Sequence, residues 1–346
     1  MKTMAAILVE TGQPLEIVEL EIPALKPGQV LVEIYYSGIC HAQLMEARGY
    51  KGEDRLLPHC MGHEGVGIVR EIGVGVTKVA PEQKVILSWI RGLGAEVSES
   101  LYQWKGRTVN AGPITTFSRY AVISENRLTP LPAGTPVKEA ALLGCAVPTG
   151  AGAVLHTGKP LPGQSVAVFG VGGVGLFAVA AARALGAAPI IAVDINDKKL
   201  EAAFDMGATY TIHGDREVVM ETLATYCPGG VDVAVEATGL TAVMLQAVES
   251  VRPQGGRAVI IGNARHGEML TIDPRQLNQG KQILGTWGGE TRPEEDYPLY
   301  CRMLQYGRLD FSPLLDGVYP LTAVNTAMDD LEAGCVIRPL LDMSDD

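Results

Sequence analysis

Two patterns of apolar and polar positions divide this chain. Through roughly the first 147 residues, short runs rich in Val and Ile are broken at Gly and Pro: 5–10, 29–37 and 65–72, then a turn and strand across 75–87. That pattern predicts a β-barrel type of domain. From about Pro148 compact apolar runs alternate with segments of helical period. Strands are expected at 231–236, 257–261 and 282–286, and helices at 176–185, 197–206 and 242–251. Such alternation predicts a parallel sheet covered by helices on both faces. After about 287 the chain returns to mixed helix and loop, with a helical pattern over 321–333 and Gly334 as its C-cap. The expected organisation is therefore 1–147, 148–286 and 287–346.

The second pattern opens on an informative segment. Residues 165–194 read SVAVFGVGGVGLFAVAAARALGAAPIIAVD. A β-branched run ends in Gly170-Val171-Gly172-Gly173-Val174-Gly175, an Ala-rich helix follows, and a second apolar run stops at Asp194. This is the βαβ context of a dinucleotide site. Gly170 permits the tight turn, Gly172 leaves room for a pyrophosphate, and Gly175 lets helix and strand pack closely. The pyrophosphate then meets free N–H groups at the positive end of the helix. Asp194 suits the two hydroxyls of an unphosphorylated adenosine ribose and would repel a 2′-phosphate, so the expected cofactor is NAD.

Composition narrows the partners. A formal net charge of −11 argues against nucleic acid and anionic membrane. There is no basic-then-apolar leader at Met1 and no apolar run of membrane-spanning length, so a cytoplasmic protein is expected. The six cysteines form no CxxC pair, which argues against a disulfide framework or zinc ribbon.

Three scattered residues become informative together. Cys40 follows Ser37-Gly38-Ile39, His63 lies in Gly62-His63-Glu64-Gly65, and Cys145 lies in Leu143-Gly144-Cys145-Ala146. Two thiolates, one imidazole and an open fourth position suit a catalytic zinc. Cys60, three residues before His63, reads as a core thiol. His59, His156, His213 and His266 stand isolated and receive no role. The polar run over 46–55 (EARGYKGEDR) reads as a solvated loop.

These motifs, in this order, resemble the zinc-dependent alcohol dehydrogenase family of the medium-chain dehydrogenase/reductase superfamily. The likeness runs nearly end to end: GIC at 38–40, GHEGVGIVREIGVGV at 62–76, TFSRYAVI at 116–123, LLGCAVPTG at 142–150, the GVGGVG unit, VDINDKKLEAAFDMGA at 193–208 and IRPLL at 337–341. It implies an α/β protein: a GroES-like β-barrel catalytic domain, completed by the C-terminal segment, with an inserted Rossmann domain. It implies one catalytic zinc on Cys40, His63 and Cys145, with Glu64 beside the histidine ligand. Gln43 stands where the family has an aspartate that orients that histidine. His41 and Arg338 match contacts to the cofactor pyrophosphate, Lys199 a lysine near the ribose, and Thr149 and Val174 residues packing on the nicotinamide. Trp89 and Phe117 fall where the family builds its substrate pocket. A small alcohol or carbonyl substrate and a homo-oligomer, dimer or tetramer, follow from the same likeness.

Two departures matter. The family's second, structural zinc sits in a lobe with four closely spaced cysteines, and residues 88–108 here contain none. That lobe is expected to lack the metal and to be held by packing, with Trp89, Leu101, Tyr102 and Trp104 as candidates. The residue two after the first cysteine ligand is Ser or Thr in the family and relays the proton; here it is Ala42. His41 or Glu64, through a water, or a hydroxyl of a polyhydroxy, sugar-like substrate, would have to replace it. Two other readings are a zinc-free NAD(P)H-dependent alkene or quinone reductase and a non-catalytic nucleotide-binding protein of the same fold.

Overall fold

The computed structural model describes residues 1–315 and 317–344. They form two compact units: Met1–Cys145 with Arg292–Gln305 and Leu314–Asp346, and Ala146–Thr291 with Tyr306–Pro313.

In the first unit the central strand is Gln29–Gly38, QVLVEIYYSG, which is buried or half-buried along its whole length. Successive side chains of a strand point to opposite sides, so one strand can serve two cores. Val30, Val32 and Ile34 enter one core with Val85, Leu87 and Ile123, while Leu31 enters the other with Ala5, Ile7 and Leu20. Lys2–Leu8, Glu16–Glu21, Leu101–Trp104, Arg107–Asn110 and His59–Cys60 close a barrel. A second sheet runs Leu128–Pro130, Lys84–Ser88, Glu64–Ile72, Gln29–Gly38, Leu340–Asp342 and Val318–Pro320, with Tyr120–Ser124 also on the central strand. Leu340–Asp342 pairs antiparallel with Gly38, Ser37 and Tyr36. The C-terminal segment thus lies along the strand that leads to Cys40. The first strand starts before the expected 5–10, because pairing with Glu16–Glu21 begins at Lys2.

The cysteine-free lobe is held differently from expectation. Tyr102 and Val109 are buried and Trp104 packs partly on them, but Leu101 is exposed. Polar contacts do the rest. The Glu125 carboxylate accepts from the N–H groups of Thr77, Lys78 and Ala95 at 2.6–2.8 Å. Arg127 donates to Trp89 O and, at 3.1 Å, to Glu96. Apolar residues alone would leave those loop amides without acceptors.

The second unit is a six-stranded parallel sheet ordered Tyr210–His213, Ile190–Asp194, Val166–Phe169, Val233–Glu236, Arg257–Ile260, Gln282–Gly285. Counted along this unit the order is 3-2-1-4-5-6, the Rossmann arrangement. Val166–Phe169 and Val233–Glu236 are buried throughout, as strands covered on both faces must be. Helix Asp197–Met206 starts at Asn196, whose side chain accepts from Lys199 N–H, and ends at Gly207 with φ 117°. Helices Val219–Tyr226 and Pro293–Gln305 were not individually legible in the apolar pattern. No single helix among the described residues is long and apolar enough to cross a membrane.

Candidate active site

Cys40 closes the central strand and sits at the start of helix His41–Ala47. Its backbone N–H donates to Gln43 Oε1 at 2.7 Å. Gln43 therefore fixes the backbone at Cys40, and its buried Nε2 has no partner among the described residues. His63 immediately precedes strand Glu64–Ile72, and Cys145 follows the short helical turn Ala141–Gly144. The fold brings all three together: one donor atom from each of Cys40, His63 and Cys145 lies within 4.8 Å of the others. His63 Nε2 is 3.3 Å from Cys145 Sγ. A tetrahedral zinc with Zn–S near 2.3 Å and Zn–N near 2.0 Å separates such donors by about 3.6 Å, so the set fits a zinc ion with a small adjustment.

The electrostatics suit a cation as well. The hydrogen-bonded Cys145 thiol holds Cys40 well below the ordinary thiol range against the opposing effect of burial. Arg338 and His63 push the same way, while the Cys145 thiol is held high by Cys40 and by burial. Two buried sulfurs sharing a proton present a site where a divalent ion would displace that proton.

Glu64 and Arg338 form the wall beside these donors. Both are buried, at 0% and 3% side-chain exposure, and Arg338 Nε donates to Glu64 Oε1 at 2.8 Å, with a second short contact from Nη2. Burial pushes the Glu64 carboxyl up and the Arg338 guanidinium opposes it. The guanidinium stays charged, so the ion pair is the form that leaves neither charge alone in the interior. Room for this pair comes from two glycines. A Cβ on Gly38 would overlap Glu64 Oε1, and a Cβ on Gly144 would lie 2.7 Å from Glu64 Cβ and overlap Leu87 O. The signal was present in Gly38 and Gly144, each two or fewer residues from a cysteine of the set, but their target was not readable.

The other expected site residues divide. His41 is exposed on the first turn after Cys40, and Ala42 is half-buried beside it. Trp89 is half-buried with its ring 6.5 Å from that of His63, edge to face. Phe117 is wholly enclosed in the core shared with the second sheet, its N–H donating to Met61 O. Arg338, expected at the pyrophosphate, is turned onto Glu64. The physical reason is Glu64 itself, a buried acid that needs a cation.

The second unit builds the dinucleotide loop locally. Gly170 has φ +82° and a Cβ there would meet Thr238 Cγ2 at 2.5 Å. A Cβ on Gly175 would overlap Gly170 O, whereas one on Gly172 meets nothing within 4 Å. Gly173 is the first residue of helix Gly173–Ala184, so the open side at Gly172 lies at that helix's N-terminus. Asp194 accepts N–H bonds from Val171, Ile195 and Asn196 at 2.8–3.1 Å, tying the loop to the end of the second strand. Lys199 is half-buried one turn on. Helix Ala146–Gly152 lies on this loop so closely that a Cβ on Gly150 would overlap Val174 O. Thr149 immediately precedes Gly150 on that helix, and its buried Oγ1 has no partner among the described residues. An orphaned buried hydroxyl and open space at Gly172 both fit a bound dinucleotide.

Comparison with known proteins decides the family. The alcohol dehydrogenase GroES-like domain matches residues 26–133 and the zinc-binding dehydrogenase family matches residues 173–305. An S-(hydroxymethyl)glutathione dehydrogenase of Photobacterium damsela subsp. piscicida is 34% identical over 372 aligned positions, covering 99% of this chain and all of the relative. The chain belongs to the zinc-dependent alcohol dehydrogenase family. Two solved members agree with the fold of this alcohol dehydrogenase. Benzyl alcohol dehydrogenase from Acinetobacter calcoaceticus superposes with a TM-score of 0.90 at 28% identity, over 99% of this chain and 100% of that one. A zinc-binding-domain alcohol dehydrogenase protein from Burkholderia ambifaria does so with a TM-score of 0.90 at 30% identity, over 99% of each chain. The α/β architecture with GroES-like and Rossmann parts is that of the family.

Proposed function

We propose that this alcohol dehydrogenase transfers a hydride reversibly between a small alcohol and NAD, using one zinc held by Cys40, His63 and Cys145. The observation that carries the reading is the convergence of two buried sulfurs and one imidazole from three separate segments. When bound there, zinc supplies a Lewis acid that lowers the pKa of a hydroxyl and polarises a carbonyl, and NAD supplies the hydride acceptor.

The chain's own residues do the rest. Gly172 and the first N–H groups of helix Gly173–Ala184 receive the pyrophosphate, and Thr149 and Val174 hold the nicotinamide. Asp194 selects NAD over NADP, since its carboxylate is already pinned by three N–H groups and cannot swing away from a 2′-phosphate. Glu64, paired with Arg338, sets the field at the sulfurs. His41 carries the proton to solvent in place of the Ser/Thr relay that Ala42 lacks; its exposure one residue after Cys40 supports this. Trp89 walls the substrate side beside His63. A structural zinc has no cysteine ligands in the 88–108 lobe. A homo-oligomer is supported by the open outer edge of strand Gln282–Gly285 and by Trp287, 75% exposed just beyond it.

The test is turnover by nicotinamide absorbance, with NAD and with NADP, over polyols, simple primary alcohols, benzyl alcohol and S-(hydroxymethyl)glutathione, each with metal content measured. Activity with NAD that disappears in Cys40→Ser supports the reading. Full activity in Cys40→Ser without metal would point to the zinc-free reductase, and tight NAD binding with no turnover of any alcohol would point to the non-catalytic protein.

A further inference from the structure

A second cluster of metal-ligating side chains lies outside the site described above. Glu46, on the last part of helix His41–Ala47, and Asp54, in the loop that follows, fold back onto His59 of the short strand His59–Cys60. One donor atom from each lies within 4.8 Å of the others. His59 Nε2 is 2.9 Å from Asp54 Oδ2 and 3.5 Å from Glu46 Oε1. Donors on a tetrahedral zinc bound through one nitrogen and carboxylate oxygens sit about 3.3 Å apart, which these two distances bracket.

The ring itself supplies an independent observation. His59 is only 7% exposed, and its Nδ1 lies 2.9 Å from the backbone carbonyl of Cys60. A carbonyl only accepts, so Nδ1 carries the proton. Nε2 then faces an oxygen of each carboxylate, so a cation placed at Nε2 would be shared by all three groups. A histidine whose Nδ1–H is fixed by a backbone carbonyl, with Nε2 turned to carboxylates, is a ligand already oriented for a metal.

Charge nearby sharpens the assignment. Lys51 Nζ is 2.6 Å from Glu46 Oε2, the oxygen turned away from His59, and Leu56 N–H donates to Asp54 Oδ1 at 2.9 Å. Each carboxylate therefore uses one oxygen for the protein and presents the other to the imidazole. We infer that Glu46, Asp54 and His59 form a second divalent-cation site, of the type that takes zinc through one imidazole and two carboxylates, with a water completing the shell. The cation would tie the helix that begins after Cys40 to the strand that leads towards His63. It would thereby brace two of the segments that supply the sulfur–imidazole donor set. No cysteine contributes, so the two sites differ in chemistry.

Equilibrium dialysis of the full chain against micromolar Zn²⁺, with metal counted by mass spectrometry, tests this. The expected result is about two zinc ions per chain, one of them lost in His59→Gln and equally in Glu46→Gln. Glu46 is partly exposed on a short helix, so the second variant protects the test if His59→Gln misfolds. With Co²⁺, the second equivalent is expected to add weak visible bands and no thiolate charge transfer in the near ultraviolet. Cys40→Ser removes the other equivalent and leaves this one, which separates the two readings. Zinc stoichiometry unchanged in both His59→Gln and Glu46→Gln would overturn the inference, and a proton on Nε2 would then be the occupant.

Discussion

The dinucleotide loop and the sulfur–imidazole cluster solve opposite problems. The loop is one contiguous stretch, 170–175, joined to Asp194 by the Val171 N–H, and its working parts are absent side chains: a turn at Gly170, open space at Gly172, close packing at Gly175. The cluster gathers Cys40, His63, Cys145 and the Glu64–Arg338 pair from segments far apart in the chain. It depends on charged and polarisable groups held in a dry interior. A site made of backbone and empty space is insensitive to partners elsewhere. A site made of buried charges fails as soon as one partner goes, because the remaining charge has no solvent to fall back on.

Substitutions can break that contrast. The largest effect belongs to the cluster's sulfurs: Cys145→Ser is expected to lower kcat/KM by on the order of 10³-fold or more while NAD still binds, as read by turnover and by cofactor titration. Next is Arg338→Ala, which leaves Glu64 as a lone buried acid and should destabilise its unit by about 3–5 kcal/mol in denaturant unfolding. Restoring neutrality with the second change Glu64→Gln should recover part of that loss. The loop should behave differently. Gly172→Ala is expected to leave stability unchanged and to weaken NAD binding about tenfold to a hundredfold, or about 1.4–2.7 kcal/mol. Gly175→Ala, by contrast, should cost stability, since the added methyl overlaps Gly170 O. A Gly172→Ala variant that unfolds would show that the open side is a packing surface and not a ligand space.

The smallest effect lies in the cysteine-free lobe. Burial works to raise Glu125, and the N–H groups of Ala95, Thr77 and Lys78 overcome it, holding the carboxyl below its ordinary 4.5. A carboxyl lowered by folding contributes stability that is complete above the unfolded value and lost as pH falls through the folded one. Glu125→Gln should therefore flatten the acid limb of a stability–pH curve, below about pH 4.5, by about 1 kcal/mol, and leave neutral activity alone.

Legibility followed locality. The βαβ unit was readable because every residue it needs lies within 165–194, and the glycine roles are properties of neighbouring backbone. The Val- and Ile-rich run of strand Gln29–Gly38 was readable for the same reason. The chemistry of Cys40, His63 and Cys145 suited a zinc in sequence, but that the three meet was implied only by the family likeness, since nothing local says so. The pairing of Arg338 with Glu64 was not legible, because the two lie 274 positions apart and both are buried. The burial of Phe117 was not legible, because an aromatic beside a loop looks the same in sequence whether it lines a pocket or fills a core. His59 and its carboxylates stayed invisible because a polar run such as 46–55 gives no sign of which side chains fold inward.

Cys40, His63 and Cys145 are proposed to hold the catalytic metal together, and absorption of the Co²⁺-loaded chain reports on that set. An intense near-ultraviolet thiolate-to-cobalt band is expected for about one metal ion per chain, greatly reduced in Cys40→Ser and in Cys145→Ser, and lost together with turnover. A cobalt-loaded, active chain with no thiolate band, or a band untouched by both substitutions, would contradict it.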